Sequence, residues 1–216
     1  MKILLIGAIG RTGGIILKKA IADKHEVTAI VRDPSKIQDV NVNIIQGTPY
    51  DINTVKNAIK NCDAVISTLN VSRMSDNPWA KLRAPKDLIS KSILNAVEAM
   101  KENNVKRLIS LSVLGAGDSK KKMPFLFNLF ISMSNLKYAF MDHTRQEEIL
   151  CKSDVNWTVI RLPMLSKEEG EAEILVNKND GVKLNRNINR DSVARFILSI
   201  LADEQYYKTI VGISYK

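Results

Sequence analysis

Lys2-Ile3-Leu4-Leu5-Ile6-Gly7-Ala8-Ile9-Gly10-Arg11-Thr12-Gly13-Gly14 opens the chain with an apolar run, a glycine-rich turn and the start of a helical pattern. A turn that cradles a pyrophosphate needs this arrangement. It must be tight, its backbone N–H groups must approach the phosphates with no Cβ in the way, and the helix must begin against the strand with its positive end toward the anion. Gly7, Gly10 and Gly13 meet these three needs in turn, and Arg11 and Thr12 lie within the turn. Glycine triplets alone also occur in purely structural turns. The strand before, the helix after and a second strand about twenty residues on make this one a dinucleotide site.

The second strand ends in Val31-Arg32-Asp33-Pro34-Ser35-Lys36. An acid at that end would hold the two ribose hydroxyls of NAD, whereas a cation meets the extra phosphate of NADP. Arg32 holds the decisive place, with Arg11 and Lys36 near enough in sequence to add charge. Asp33, before a proline, reads as the start of a turn. The sequence therefore predicts NADP over NAD.

Farther out, short runs rich in Ile, Val and Leu recur at 2–6, 26–31, 42–46, 64–69, 107–112, 158–162 and 209–213. They are apolar on every residue rather than every second one, which marks strands covered on both faces. Helical periods fill 12–22, 52–61, 86–103, 139–153 and 191–202, the last with Asp191 as expected N-cap. Strand and helix in alternation predict an α/β fold, a doubly wound parallel (Rossmann) sheet in one domain spanning 1–216. Two connections, about 70–85 and 115–138, leave the carboxyl ends of strands, where the ligand crevice of such a sheet lies, and are expected to wall the substrate pocket.

Composition sets outer limits. The chain has 216 residues, 45% hydrophobic and 25% charged, with net charge +9 from 32 Lys+Arg and 23 Asp+Glu. That balance is globular and excludes a disordered chain or a disulfide scaffold. Two cysteines, Cys62 and Cys151, and two histidines, His25 and His143, provide no zinc spacing, so no metal is expected. The basic residues are scattered at helix-like positions without aromatic interleaving, which argues against nucleic acid and for attraction of an anionic cofactor. No apolar stretch is long enough to span a bilayer and no cleavable leader is evident, so a soluble cytoplasmic protein without membrane contact is expected.

These residues resemble the atypical short-chain dehydrogenases, in particular the NmrA-like and biliverdin reductase B-like (flavin reductase) NAD(P)-binding proteins. The glycine turn looks like the family's GAxGxTG pattern, and 27–33 and 63–69 are similar to its second and fourth strands. Asp142-His143-Thr144-Arg145-Gln146-Glu147 is similar to its DHxRxE segment, and Trp157-Thr158-Val159-Ile160-Arg161-Leu162-Pro163 to its WTxxRP strand. The resemblance implies cofactor contacts at Thr48, Leu69, Asn70, Ser112 and Met164, after the third to sixth strands. Three departures stand out. No tyrosine has a lysine four residues later, so carbonyl reduction by a Tyr-x-x-x-Lys pair is disfavoured. Thr48 follows Gly47 where the family often has aspartate, and Met164 follows Pro163 where the flavin-reductase branch has histidine.

For catalysis the candidates are Ser112, Tyr138 and His143. Ser112 is expected beside the nicotinamide as a hydrogen-bond donor, or closes its strand with a backbone bond. His143 is a proton donor titrating near neutrality or, with Asp142 as N-cap and Glu147 behind it, part of a helix start. Tyr138 is a pocket residue or a helix residue. The segment 120–130, three lysines followed by a Phe-rich stretch, reads as a lid or a partner surface rather than a membrane anchor, with Trp79 as an opposing wall or a loop anchor. The run Glu168, Glu169, Glu171 and Glu173 reads as a solvated turn. The expected function is an NADPH-dependent reductase acting on a small-molecule acceptor, flat and conjugated, of flavin or quinone type. The alternative is an NADP(H)-sensing protein read by a partner, with a homodimer or regulatory protein as the possible assembly.

Overall fold

The computed structural model describes residues 1–38, 41–166, 173–178 and 184–216. In chain order the strands are β1 (Lys2–Ile6), β2 (Glu26–Val31), β3 (Val42–Gln46), β4 (Ala64–Ser67), β5 (Arg107–Val113), β6 (Asn156–Leu162), β7 (Met164–Ser166), β8 (Ile174–Asn177), β9 (Asn187–Asn189) and β10 (Thr209–Tyr215). The helices are α1 (Arg11–Ala22), α2 (Ile52–Ala58), α3 (Leu88–Glu102), α4 (Phe125–Met133), α5 (Leu136–Cys151) and α6 (Arg190–Ser199). Eight strands form one sheet in the order β3-β2-β1-β4-β5-β6-β10-β8, parallel except where β8 runs antiparallel to β10. β7 and β9 pair separately beside the carboxyl end of β6.

Both faces of the sheet are apolar because side chains alternate across it. Ile3 and Leu5 point to one side, where Ile16, Leu17 and Ala20 of α1 and Val193, Phe196 and Ile197 of α6 cover them. Leu4 and Ile6 point to the other, under Val55 of α2, Ile93, Ala96 and Met100 of α3 and Leu150 of α5. This is the doubly wound α/β sheet that the continuous apolar runs predict.

Several boundaries differ from the sequence reading. Helix α6 is capped by Asn189, whose Oδ1 accepts from the Ser192 N–H at 2.7 Å, and not by Asp191. Asp191 sits inside the first turn and pairs with Lys19 at 3.0 Å and Arg195 at 3.4 Å. Asp142 caps no start of its own helix either, because α5 already begins at Leu136. Buried in mid-helix, its carboxylate accepts from the N–H groups of Ile89 (2.7 Å) and Ser90 (3.3 Å) and from the Ser90 hydroxyl (2.5 Å), capping α3 from across the fold. Residues 125–133, read only as an apolar stretch, form α4. Of the acidic run, Glu168, Glu169 and Glu171 lie outside the described residues, and Glu173 is an exposed partner of Lys216 at 2.8 Å.

Candidate functional site

The carboxyl ends of β1, β2, β4, β5 and β6 open into one cleft of about 410 Å³, bordered by Gly7, Gly10, Arg11, Thr12, Arg32, Leu69, Asn70, Ser112 and His143 among others. The glycine turn closes tightly, with the Gly10 N–H donating to Gly7 O at 2.9 Å and Gly7 at φ +94°. A Cβ on Gly13 would run into the Gly7 carbonyl and lie 2.8 Å from Thr68 Oγ1, so only glycine lets α1 start this close to β1. Thr68 braces the turn by donating its hydroxyl to Ile6 O (3.2 Å) and Gly7 O (3.3 Å).

The amino end of α1 differs from those of its neighbours. Helix α2 is capped by Asp51 and α6 by Asn189, whereas α1, with Gly10 as its N-cap, has like α4 and α5 no side-chain cap and no acid in its first turn. Its first N–H groups and the positive end of its dipole are left facing the cleft, as an anion site requires. Cations add to the field. Arg32 stands exposed at the end of β2 and, among the described residues, has no hydrogen-bond or ion-pair partner. Asp33, the residue that would argue for NAD, is turned to local work: it caps the next turn through Ser35 N (3.2 Å) and Ser35 Oγ (2.7 Å), and the Ser35 hydrogen bonds hold its carboxyl below the usual range.

Arg11 reaches across the cleft mouth to Asp76, with its two terminal nitrogens 3.2 and 3.1 Å from the two carboxylate oxygens. This pair joins the glycine turn to the loop after β4. Arg190, at the start of α6, gives one hydrogen bond to Ser166 O at 3.2 Å while its Nε is buried without a partner. Burial, then the nearby charge of Arg11, lowers its pKa from the usual arginine value. Arg73 also borders the cleft, held by its Nε to Asn77 O at 3.2 Å. Arg73, Arg190 and Thr68 are cleft residues that the sequence reading missed. Arg190 had a readable signal, as a cation at the amino end of a helix that follows the last cleft strand.

Ser112 and His143 meet in the same cleft, each tied from behind. The Ser112 hydroxyl donates to Glu147 Oε1 at 2.6 Å, so its hydrogen is committed and the oxygen offers lone pairs to the cleft. Glu147 in turn takes Arg161 Nε at 3.1 Å on Oε1 and a terminal nitrogen at 2.7 Å on Oε2, and Arg161 also reaches Asp118 at 2.5 Å. Burial alone would lower the Arg161 pKa, but the hydrogen bonds and charge of Glu147 prevail and raise it.

His143 is buried in the cleft wall, and burial pushes its imidazole down to about 4, so it is neutral at pH 7 rather than titrating near neutrality. Its hydrogen position follows from its neighbour. Gln146 Nε2 lies 2.8 Å from Leu111 O, which needs a donor, and 2.8 Å from His143 Nδ1. Nδ1 therefore accepts, and the ring proton sits on Nε2.

Five expected residues do not border the cleft: Gly13, which sits behind the turn, Lys36, which lies apart beside α1, and Thr48, Met164 and Tyr138. Thr48 turns its hydroxyl to the Tyr50 N–H at 3.3 Å, and Met164 is 69% exposed beyond the cleft rim. Tyr138 packs with Val71, Ile89 and Ala139, its ring covered by Lys86 at 4.3 Å and Lys137 at 5.4 Å. Trp79 and α4 do not border the cleft either. Trp79 stands edge-on to Phe130 at 5.7 Å and donates its indole N–H to Met133 O at 3.2 Å. Among the described residues no three His, Cys, Asp or Glu side chains gather where a metal could bind.

A glycine cradle that any Cβ would fill, an uncapped helix start and the unpartnered Arg32 fit a dinucleotide, and comparison with known proteins agrees. A family model described as NAD(P)H-binding matches residues 7–204. The chain is 42% identical over 72 residues to the uncharacterized protein YwnB of Bacillus subtilis (strain 168), covering 33% of each. It is 25% identical over 149 residues to the photosystem II assembly factor Ycf39 of Synechocystis, covering 65% of this chain and 44% of that protein. The chain thus spans less than half the length of these curated relatives.

Solved structures match over nearly the whole chain. A short-chain dehydrogenase/reductase of Veillonella parvula DSM 2008 in complex with NADP superposes with TM-score 0.78 at 17% identity, covering 99% of this chain and 94% of that one. ChuY, an anaerobillin reductase from Escherichia coli O157:H7, superposes with TM-score 0.79 at 19% identity, covering 100% and 97%. At these identities the structural likeness speaks for the Rossmann fold. The family model, spanning most of the sequence, says more: the chain belongs to the NAD(P)H-binding family.

Proposed function

We propose that this protein is an NADPH-dependent reductase that passes hydride to a flat, conjugated acceptor of flavin or quinone type. The observation that carries the reading is the unpartnered Arg32 at one end of a cleft whose middle is the uncapped start of α1 and whose other end is Ser112 and His143. NADPH, when bound, supplies the hydride. The chain's residues bind and position. Arg32 takes the ribose phosphate, the first turn of α1 with Arg11 and Arg190 takes the pyrophosphate, and Leu69, Asn70 and Ser112 line the stretch toward the nicotinamide.

Proton supply is weak, which decides the acceptor class. Ser112 has committed its hydrogen to Glu147, and neutral His143 can offer only Nε2–H. A carbonyl reduced to an alcohol needs a strong donor at the oxygen. Flavins and quinones delocalise the incoming charge and take their proton from a weak donor or water. Positioning by the cleft then supplies most of the rate.

The same weakness, with the Arg11–Asp76 pair linking the cofactor turn to an exposed loop, favours a second reading as an NADP(H) sensor read by a protein partner. One experiment separates the two: NADPH oxidation against a panel of flavins, quinones and small carbonyls, with NADH alongside. Turnover with flavins or quinones is expected, and turnover with none of the panel supports the sensor. Arg32→Asp should weaken NADPH binding by about tenfold to hundredfold while sparing NADH. Equal loss of both would show that Arg32 does not read the phosphate.

A further inference from the structure

Helix α4 carries its apolar side outward. Phe125, Leu126, Leu129, Phe130 and Met133 recur at helical spacing on one face, with Phe125 77%, Leu126 75% and Met133 68% exposed. The opposite face supplies the helix's own packing: Ile131 is buried and Phe127 meets Phe140 edge-on at 6.1 Å. Trp79, 57% exposed, continues the outer stripe from the neighbouring loop. So large an apolar patch on a soluble surface marks a contact with something else. Since α4 does not border the cleft, that something is not the acceptor.

The rim names its chemistry. From Ser119 to Met141 the sequence has no Asp or Glu, while Lys120, Lys121, Lys122 and Lys137 flank the stripe, and Lys81, Arg83 and Lys86 follow Trp79 in its loop. The acids that border these stretches are engaged, Asp118 with Arg161, Asp142 with Ile89 and Ser90, Asp76 with Arg11 and Asp87 with the Tyr50 hydroxyl. A cavity of about 210 Å³ opens beside α4 with Lys120 and Lys137 on its wall and Ile131, Phe140 and Met141 within. An apolar, aromatic stripe flanked mainly by cations complements a surface that is apolar below and anionic above.

Against the sequence reading of 120–130 as a lid or partner surface, we infer that this face docks peripherally on an anionic lipid bilayer, with Phe125, Leu126, Met133 and Trp79 entering the acyl boundary and the lysines meeting headgroups. A second copy of this chain is the poorer occupant, because a two-fold contact would set the same patch, and so the same positive rim, against itself. No helix among the described residues is long and apolar enough to cross a membrane, so the contact is a surface one. The inference does not depend on the cofactor reading.

The test is co-sedimentation of the intact protein with vesicles of phosphatidylcholine alone, or with about one third phosphatidylglycerol. Binding to the anionic vesicles, reversed by salt, is expected, with a blue shift of tryptophan emission. The shift reports Trp79, since Trp157 is already buried. The pair Phe125→Ser and Leu126→Ser should lower vesicle affinity by at least about tenfold. Glutamine at Lys120, Lys121 and Lys122 together should lower affinity for the anionic vesicles by about a hundredfold. All variants should keep the parent's NADPH binding and melting temperature, since the changed side chains are exposed. Absence of binding to either vesicle overturns the inference, as does binding untouched by the apolar substitutions. A soluble dimer that those substitutions dissolve, in a protein that ignores vesicles, overturns it in favour of self-association.

Discussion

Glu147 joins three elements through one carboxylate: Ser112 at the end of β5, Arg161 on β6 and its own helix α5. Both Glu147 and Arg161 are buried, so removing one charge strands the other. Glu147→Gln is expected to cost about 3 kcal/mol, read by urea unfolding at pH 7. His143 makes a different prediction, in pH. Its imidazole is held down at about 4 against an ordinary 6.5, so the unfolded chain takes up the proton first as the solution is acidified. The stability from the buried neutral ring is complete above about pH 6.5 and lost as pH falls through about 4, in all about 3 kcal/mol. Comparing unfolding of the parent and His143→Gln at pH 7 and pH 5 should show the parent losing more. These residues were visible in the sequence as a motif, but their partners were not. Asp142 caps a helix that begins about fifty residues earlier and Glu147 grips a strand behind it, contacts that only the folded topology creates.

Among elements, helix starts discriminate best between local and distant causes. Asn189→Ala should cost about 1 kcal/mol in thermal unfolding, because the Ser192 N–H loses its acceptor. Asp191→Ala should cost less than half as much, since its pairs with Lys19 and Arg195 are partly exposed. An equal loss at both positions would mean that Asp191 also serves as a cap. The interior strands were legible because burial on both faces writes a continuous apolar run. Strand β8 was not, being four residues of intermediate burial paired antiparallel at an edge. Helix α4 was hidden for another reason. Phe125-Leu126-Phe127-Asn128-Leu129-Phe130 is apolar around nearly the whole helix, so no inner face stands out from an outer one.

At the scale of the whole molecule, the cleft and the α4 surface draw on different parts of one cationic chain. Part of the excess of Lys and Arg that the composition reports as a single number gathers as arginines around the glycine turn and lysines around the apolar helix, the rest being scattered over the chain. The first group was half legible: Arg11 and Arg32 lie within or beside recognisable motifs, while Arg73 and Arg190 come from a loop and a helix start brought in by the fold. Strand β10 lies inside the sheet, bonded on one side to β6 and on the other to β8. A chain stopped before Thr209 would retain all the cleft residues named above, yet β6 would present a bare row of amides and carbonyls to solvent. Such an unprotected border invites pairing between molecules. We expect this shortened protein to collect in the insoluble fraction on expression, measured against the parent at equal yield, so that eight residues remote from the cleft decide whether the protein can be purified at all.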